Sequence, residues 1–412
     1  MMTSVTTNKA PSDLGFSSPD FLSQHIKSIL AFYEPNVDAL SGGFHQNFSD
    51  DGSVFDENTR HLVSSTRFVF NYARAYLTFG DSRYLSRVAS GIKFLREYHL
   101  NPETQGYAWV LNVEGVEHSV KDATNHCYGL AFVMLAYSWA YRAGITEAKY
   151  YLDETFALMD THFWDKDYGL YKDEFNADFS ICSDYRGQNA NMHSCEALIA
   201  AFEATQDQRF LKRALLVAEN ITLRQAAKAD NRIWEHYTSN WEVDWEYNKN
   251  DPKNLFRPWG FQPGHHTEWS KLLLQLNQYS PQPWLVERAQ SLFDAVIDIS
   301  WDSINGGIAY GFAPDSSVCD NEKYFWVQAE SFACAARLAI VTQDDKYWDW
   351  YYRIWQYAWT HFVDHEYGAW FRILSPENGK LETTKSPVGK TDYHTMGACY
   401  DVMDALTFNA QR

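Results

Sequence analysis

Residues 191–221 read NMHSCEALIAAFEATQDQRFLKRALLVAENI, and this stretch predicts two helices of different character. The first half is apolar on most sides, as expected of a helix that is buried on most sides. After a short polar turn, the second half places apolar residues three and four positions apart, which is the pattern of an amphipathic helix. The stretch therefore predicts an inner helix that is followed by an outer helix.

The same pattern recurs along the chain as a module of about 60 to 70 residues, which is typical of a repeat architecture. Amphipathic helices are predicted at 80–99, 144–163, 205–221, 281–298 and 342–362. Less polar helices are predicted at 65–79, 126–144, 191–205, 265–280, 326–342 and 394–409. Aromatic residues alternate around glycine in a third kind of segment, which favours short β-hairpins at 42–52, 105–111, 167–175, 305–312 and 366–374.

The two ends of the chain complete the repeat. A helix predicted at 21–32 can serve as the outer partner of the last inner helix at 394–409, which gives six pairs in a ring. The sequence therefore predicts an all-α fold, an (α/α)6 barrel forming one domain over residues 1–412, with short β-hairpins on one rim and a flexible tail at 1–18. The alternative is a linear helical solenoid, which would expose its terminal faces and require polar caps there.

The composition restricts the partners of the chain. Asp and Glu number 53 against 35 Lys and Arg, and the net charge of −18 repels nucleic acid and anionic membrane surfaces. The sequence shows no apolar run long enough for a membrane helix and no apolar signal segment at its start. We therefore expect a cytoplasmic protein without a nucleic-acid or membrane partner, with reduced cysteines and an oligomeric state that the sequence leaves open.

Imidazoles are concentrated where the inner helices begin. His126, His193, His265 with His266, and His394 lie in the first turns of four of the six predicted inner helices. A buried helix has no packing reason to begin with histidine, so the recurrence points to proton transfer at one rim of the barrel. The partial positive charge of a helix N-terminus keeps an imidazole neutral and able to act as a base.

Charged residues accompany these histidines. Glu268 lies three residues after His265 on one helical face, where it can raise the pKa of the imidazole and fix its tautomer. Arg67 can stabilise negative charge that develops on the oxygen of an enediolate. Glu196 suits a cap or a buried salt bridge as well as catalysis. The histidines of outer helices and turns, including His61, are expected to be surface or packing residues.

The pattern does not support a metal or an organic cofactor. The chain has no HExxH motif, no cysteine pair and no acidic calcium loop, and the adjacent His265 and His266 would project in different directions from a helix. Glycine-rich nucleotide signatures are absent as well. We therefore expect a site that works with side chains alone.

Four segments resemble a known family. They are YRGQNANMHSCEA at 185–197, WEHYTSNWEVDWEYNKNDP at 234–252, FRPWGFQPGHHTEW at 256–269 and DYHTMG at 392–397. Together they are similar to the N-acylglucosamine 2-epimerase superfamily, specifically to its aldose–ketose isomerase and mannose isomerase branch. The resemblance implies an (α/α)6-barrel enzyme that interconverts an unphosphorylated aldose and ketose, such as mannose and fructose, through a cis-enediol and without a metal.

The resemblance also implies roles for individual residues. His265 and His394 match the acid/base histidines of the family, with Glu268 supporting His265. His193 matches the residue credited with opening the pyranose ring, and Arg67 matches an arginine that faces the carbonyl group. The hydroxyl groups of the sugar are expected to be held by Tyr128, Asn189, Arg257, Trp326 and Glu330.

The motif PGHH departs from the family pattern, because His266 stands where an aromatic residue is usual. By register, His265 is the histidine expected to face the substrate.

Other functions stay open at this point. A 2-epimerase acting on N-acylglucosamine or cellobiose would belong to the same superfamily, and a sulfonated-sugar isomerase would require an extra cationic anchor. An inverting glycosidase could use Glu196, Glu268 and Glu330, but it would leave the histidines without a role. A non-catalytic sugar-binding barrel is compatible with the fold, because a fold alone does not define a function.

Overall fold

A computed structural model describes residues 15–254 and 256–410 of the protein. Within these ranges the chain forms six inner and six outer helices that alternate along the sequence. The outer helices are α1 Pro19–Tyr33, α3 Ser82–Phe94, α5 Ala148–His162, α7 Gln208–Glu219, α9 Pro283–Ser300 and α11 Asp345–His361. The inner helices are α2 Leu62–Phe79, α4 Cys127–Arg142, α6 Gln188–Thr205, α8 Pro263–Tyr279, α10 Phe325–Thr342 and α12 Tyr393–Ala410.

The inner helices close into a ring. Each packs against the next, and α12 returns to contact both α2 and α1. Arg74 of α2 forms an ion pair with Asp404 of α12 at 2.9 Å, and the Ser23 hydroxyl of α1 contacts the Met403 sulfur of α12. The predicted (α/α)6 barrel is therefore confirmed, and the linear solenoid is excluded.

A recurring turn separates inner from outer helices. Helices α2, α6 and α10 end at a residue in the left-handed conformation, and the aspartate that follows caps the next helix through its side chain. Such a cap satisfies a backbone N–H that the first turn would leave unpaired. The three turns are Gly80–Asp81, Gln206–Asp207 and Gln343–Asp344. The helix boundaries predicted from these turns are confirmed.

Short strands decorate the rim where the inner helices begin. They are β1 Asn47–Phe48, β2 Val54–Asp56, β3 Thr59–His61, β4 Val110–Glu114, β5 Glu117–Asp122, β6 Asn125–His126, β7 Trp164–Asp165, β8 Leu170–Tyr171, β9 Glu174–Phe175, β10 Arg186–Gly187, β11 His236–Tyr237, β12 Gly311–Phe312, β13 Val318–Asp320, β14 Lys323–Tyr324 and β15 Ile373–Leu374. Local antiparallel pairs, β1–β2, β4–β5, β7–β8 and β12–β13, overlap four of the five predicted hairpin segments. In the fifth segment, 366–374, strand β15 pairs with β14 instead, so that hairpin prediction was wrong.

Four further strand pairs were not predicted. Strands β3, β6, β10 and β14 each come directly before an inner helix, and each pairs with a strand of the following module, β4, β9, β11 or β15. These pairs connect the start of one inner helix to the loop that precedes the next. The rim is therefore tied together around much of its circumference, which fixes the positions of the helix starts.

The predicted flexible tail, residues 1–18, lies for the most part outside the described residues. Phe16, near its end, is buried and stacks on Trp355 at a centroid distance of 5.5 Å. The Tyr351 hydroxyl donates a hydrogen bond to the Phe16 carbonyl at 2.8 Å. All six cysteines are free thiols. Among the described residues, no helix is both long enough and apolar enough to cross a membrane.

Candidate active site

The starts of the inner helices surround a cavity of about 460 Å³, here called the front cavity. All of the predicted site residues except Glu330 line it. They are Arg67, Tyr128, Asn189, His193, Arg257, His265, Glu268, Trp326 and His394. Residues that are far apart in the chain meet here because each follows a strand or loop of the rim and belongs to, or lies just before, the first turns of an inner helix.

Three histidines of the front cavity share one arrangement. In each, Nδ1 lies within hydrogen-bond distance of a buried or half-buried carboxylate. The pairs are His193 with Glu196 at 2.9 Å, His265 with Glu235 at 2.9 Å, and His394 with Glu330 at 2.7 Å. Since a carboxylate only accepts, the Nδ1 atom carries the proton and Nε2 keeps its lone pair. Each imidazole is therefore held in the tautomer whose Nε2 can act as a base toward the cavity.

The partner of His265 differs from the prediction. Glu235, from the segment between α7 and α8, accepts from Nδ1, and the side-chain Nε2 of Gln188 donates to the same carboxylate at 2.9 Å. Glu268 instead extends toward His193, with a carboxylate oxygen 3.9 Å from its Nδ1. The expectation that Glu268 supports His265 was wrong, because two residues one turn apart on a helix share a face without having to share a partner.

The two adjacent histidines of α8 have different environments. His266 is fully buried, its Nε2 accepts the backbone N–H of Ile233 at 3.0 Å, and its Nδ1 lies 2.8 Å from the carbonyl of Gln262. His265 lines the front cavity. His265 is therefore the one of the two that faces the front cavity, and His266 holds the loop before α8 in place.

Arg67 brings positive charge to His394. Its guanidinium lies 3.4 Å from Nε2 of His394 and 3.1 Å from the Tyr128 hydroxyl, and it donates to the Gly389 carbonyl. The rings of Phe132 and Tyr393 lie 4.4 Å and 4.7 Å from the guanidinium carbon. None of the described carboxylates forms an ion pair with Arg67, so its charge is available to a ligand in the front cavity.

Glu330 is placed differently from the prediction that it holds a sugar hydroxyl. One carboxylate oxygen binds Nδ1 of His394 and the other binds the ammonium of Lys271. The carboxylate therefore lies behind His394 rather than at the wall of the front cavity. That prediction was wrong, because the register of a helix start does not distinguish a residue that reaches the cavity from one that supports a neighbour.

Comparisons with known proteins agree with this geometry. The family model for N-acylglucosamine 2-epimerase matches residues 42–398. The chain belongs to the N-acylglucosamine 2-epimerase family. It is 53% identical to a D-mannose isomerase of Marinomonas mediterranea over 393 residues, which cover 95% of this chain and 98% of the relative. A cellobiose 2-epimerase of Bacteroides fragilis is 20% identical over 391 residues, which cover 91% and 95%.

A solved structure of a D-mannose isomerase superposes with a TM-score of 0.92 at 53% identity, covering 95% of this chain and 99% of the other. The fold and the branch that the sequence motifs indicated are therefore supported by both sequence and structure. The epimerases of the family are more distant relatives.

Burial sets the protonation states in this member of the N-acylglucosamine 2-epimerase family. It lowers the pKa of His394 to about 4, although the hydrogen bond to Glu330 acts in the opposite direction. Burial also lowers the pKa of His193, and the hydrogen bond from His193 helps to hold the pKa of Glu196 at about 2 against its own burial. Both imidazoles are therefore neutral at physiological pH, as general bases must be.

Glu268 differs from Glu196, Glu235 and Glu330, whose pKa values are lowered. Burial and the nearby Glu330 raise its pKa well above the ordinary value. Both of its oxygens are buried without a hydrogen-bond partner among the described residues. Because it lines the front cavity, a neutral Glu268 can donate a hydrogen bond to a ligand hydroxyl and accept another.

Several residues of the front cavity were missed in the sequence. His61 comes one residue before α2 and lines the cavity, as His126 does one residue before α4. His61 was expected to be a packing residue, because the predicted start of α2 was set three residues too late. Aligning the modules on their helix starts would have found it. Tyr310, Tyr324, Arg372 and Lys390 also reach the cavity, from rim loops without a periodic signal.

Two groups of side chains could hold a metal ion. His193, Glu196 and Glu268 form one group, and Glu268, Glu330 and His394 form the other, with ligand atoms in each group within 4.8 Å of one another. The second group already contains a cation, because Lys271 binds Glu330. A divalent ion at that place would have to displace or repel this ammonium group.

Proposed function

We propose that this protein interconverts D-mannose and D-fructose by moving a proton between C2 and C1 of the open-chain sugar through a cis-enediol. One observation supports it above the others. Two imidazoles, His265 and His394, both lie beside Trp326, with ring centroids 5.0 Å and 5.7 Å from the indole. Each has its Nδ1 held by a carboxylate, so each directs a basic Nε2 toward the same space. The likeness to the D-mannose isomerases agrees with this reaction.

The proposed reaction begins with the pyranose form. His193 lies in the front cavity with Glu196 behind it, which suits the transfer of the O1 proton toward the ring oxygen as the C1–O5 bond breaks. His193 lies close to His394, with ring centroids 6.4 Å apart. The aldehyde that forms can therefore reach the acid/base pair without leaving the cavity.

Isomerisation then moves one proton between the carbons and one between the oxygens. One neutral imidazole takes the C2 proton, the C–H electron pair forms the C1=C2 bond, and the C1=O1 π pair moves onto O1. The second neutral imidazole takes the O2 proton on Nε2 and passes it to O1, the C2=O2 bond forms, and the C1=C2 pair takes the proton back from the first imidazole at C1. Arg67, 3.4 Å from His394, stabilises negative charge on the oxygens as it develops.

The charges of the front cavity support a neutral sugar as the substrate. A sulfonated sugar would require a free cationic anchor. Arg372 forms an ion pair with Glu382 at 3.0 Å, Lys390 with Asp392, and Arg257 with Glu174. Each of these cations is therefore already neutralised by a carboxylate. Arg67 has no carboxylate partner among the described residues, but it lies 3.4 Å from His394, where the proposed reaction uses its charge on the sugar oxygens.

The same proposal includes a reaction without a metal, carried out by one catalytic domain in the cytoplasm. Arg67 supplies positive charge where a Lewis acid would otherwise be needed, and six free thiols suit a reducing compartment. Exhaustive treatment with EDTA is expected to leave turnover unchanged. Loss of turnover that Mn²⁺ or Zn²⁺ restores would contradict the metal-free mechanism.

The experiment that tests the function is incubation with mannose, fructose and cellobiose in separate D₂O reactions, followed by chromatography and NMR of the products. We expect fructose from mannose, with deuterium at one C1 position and only minor glucose, because proton return to C2 from the opposite face would give the 2-epimer. From cellobiose, glucosyl-mannose would indicate the epimerase reaction, and glucosyl-fructose would indicate an isomerase of wider substrate range. Absence of reaction with every free aldose would contradict the proposal.

A further inference from the structure

The barrel has a second opening at the end opposite the front cavity. The C-terminal halves of the inner helices surround a space of about 400 Å³, here called the rear cavity. It begins near Asp404 and Thr407, which are exposed, and its lining includes Glu196, Lys271 and Glu330. The rear cavity therefore reaches from solvent to the carboxylates that hold His193 and His394.

Lys271 occupies the inner end of the rear cavity. Its side chain is buried, and its ammonium binds one oxygen of Glu330, whose other oxygen holds Nδ1 of His394 at 2.7 Å. Burial by itself would lower the pKa of Lys271, but the surrounding carboxylates, Glu330 foremost, raise it above its ordinary value. The side chain is therefore a permanent positive charge behind His394.

This charge is needed because acidic groups are concentrated there. Glu196, Glu268 and Glu330 lie in one buried cluster, in which the charges of Glu330 and Glu196 add to burial in raising the pKa of Glu268. Three carboxyl groups buried together cannot all be ionised without a counter-ion, so one of them would take up a proton. The ammonium of Lys271 lowers the pKa of Glu330 against its burial, and it does the same for Glu196.

We infer that Lys271 is a positioning residue for the isomerisation: acting from the rear cavity, its ammonium keeps Glu330 ionised, so that Glu330 holds His394 in the tautomer with a basic Nε2. Lys271 touches no atom of a sugar in the front cavity and acts through Glu330. The inference rests on the proposed function, since it assigns a role within that reaction.

The first test compares Lys271→Met, Lys271→Arg and one control variant with the wild type. The measurement is the pH profile of kcat and of kcat/KM with mannose. Lys271→Met removes the charge at similar bulk, and Lys271→Arg keeps it. For Lys271→Met we expect kcat to fall by at least about tenfold, KM to change little, and the acidic limb to move to higher pH by about one unit, because Glu330 then takes up a proton more readily. Lys271→Arg is expected to keep the wild-type limb.

The matched control is Arg74→Met. It removes a cation from the same rear cavity. The partner of Arg74 is the exposed Asp404, which does not contact His193, His265 or His394. Its pH profile is expected to match that of the wild type. Circular dichroism melting curves establish that each variant is folded.

A second test uses the access route. Lys271→Ala removes the atoms of a propylammonium ion and leaves the rear cavity open to solvent. Added propylammonium is expected to restore part of kcat in this variant without raising KM, because it enters at the end opposite the sugar. Tetramethylammonium, which cannot donate a hydrogen bond, is expected not to restore it.

A folded Lys271→Met variant with the wild-type acidic limb would overturn the inference. If Lys271→Met does not fold, Lys271→Arg carries the test, and a displaced limb in that variant would overturn it equally. Propylammonium that competes with mannose, instead of restoring turnover, would contradict action from the rear cavity. A wild-type protein that does not turn over mannose would contradict the proposed function itself and not the role of Lys271 within it.

Discussion

The front and rear cavities are built from the same six inner helices, but their charged groups are arranged differently. At the rear, each arginine is bound by a carboxylate. The pairs are Arg74 with Asp404, Arg142 with Glu203, and Arg337 with Asp401. At the front, Arg67 has no ion-pair partner among the described carboxylates, and Nε2 of His193 and of His265 hydrogen-bonds to none of the described residues. Groups that pair with each other stabilise the barrel, whereas groups left without partners are available to a ligand.

The largest expected effect on turnover comes from replacing the imidazoles of the front cavity. For His394→Asn and, separately, His265→Asn, we expect turnover of mannose to fall by about 10²- to 10⁴-fold, as is typical for the loss of a general acid or base. The melting temperature is expected to change little, because neither Nε2 has a structural role. Steady-state kinetics and melting curves measure the two effects. Near-normal rates in both variants would remove the acid/base assignment.

At the rear cavity we expect the opposite result, a loss of stability with little loss of turnover. Arg337 binds Asp401 through two hydrogen bonds of 2.6 Å and 2.7 Å, and both side chains are buried. Arg337→Met leaves a buried carboxylate without its partner, which should lower the free energy of unfolding by about 3 to 5 kcal/mol. Turnover per folded molecule should stay close to that of the wild type. Urea unfolding and activity on the same samples check this, and a large loss of kcat with unchanged stability would contradict it.

A third substitution pair separates two carboxylates that the sequence did not distinguish. Glu235→Gln replaces the acceptor that fixes the tautomer of His265, so kcat should fall by at least about tenfold, as for the aspartate of a serine-protease triad. Glu268→Gln keeps the neutral form that burial already favours, so its effect should be smaller. The ratio of the two kcat values is the measurement. A larger loss for Glu268→Gln would contradict this assignment and favour Glu268 over Glu235 as the carboxylate on which turnover depends.

The smallest expected effect concerns pH and stability. Burial lowers the pKa of His266 to about 4, while the same group titrates near 6.5 in the unfolded chain. As pH falls from 7 to 5, the unfolded state therefore binds a proton that the folded state does not, and stability is lost, by at most about 2 kcal/mol for one such histidine at pH 5. Burial lowers the pKa values of His25, His61 and His99 in the same way.

His266→Gln tests this contribution. Glutamine can still accept from Ile233 and donate to Gln262, but it does not titrate, so the difference in unfolding free energy between pH 7 and pH 5 should shrink. Chemical denaturation at the two pH values measures it. An unchanged difference would show that His266 gains its proton in the folded state as well.

Most of the fold could be predicted from the spacing of apolar residues, because a helix and the turn that ends it depend on residues that are close together in the sequence. The turn Gln206–Asp207 ends α6 and caps α7 through a side chain two residues from the backbone group that it binds, and such a signal can be read from a few letters. The strand pairs between modules could not be predicted in this way. They join segments of two to five residues separated by a whole helix pair, and no short-range pattern records that pairing.

The candidate site was predictable to the same extent. Histidines at helix starts could be located, because the barrel brings all such starts to one rim. Their partners could not, since Glu235 comes from an irregular segment 30 positions before His265. Lys271 stands in WSKLLLQL, where a lysine is usually a surface residue of an amphipathic helix. Its burial depends on three carboxylates contributed by different helices, which only the three-dimensional structure reveals.

The contact between α1 and α12 has a consequence for how the chain can be rearranged. A helical array with two free ends has terminal repeats that differ from the others, but here the first helix completes the last pair, so no module is terminal. The packing of the modules therefore does not depend on the order in which the chain connects them. A circular permutant that opens the chain between Gln206 and Asp207 and joins the original ends with a linker would keep every helix pair of the ring.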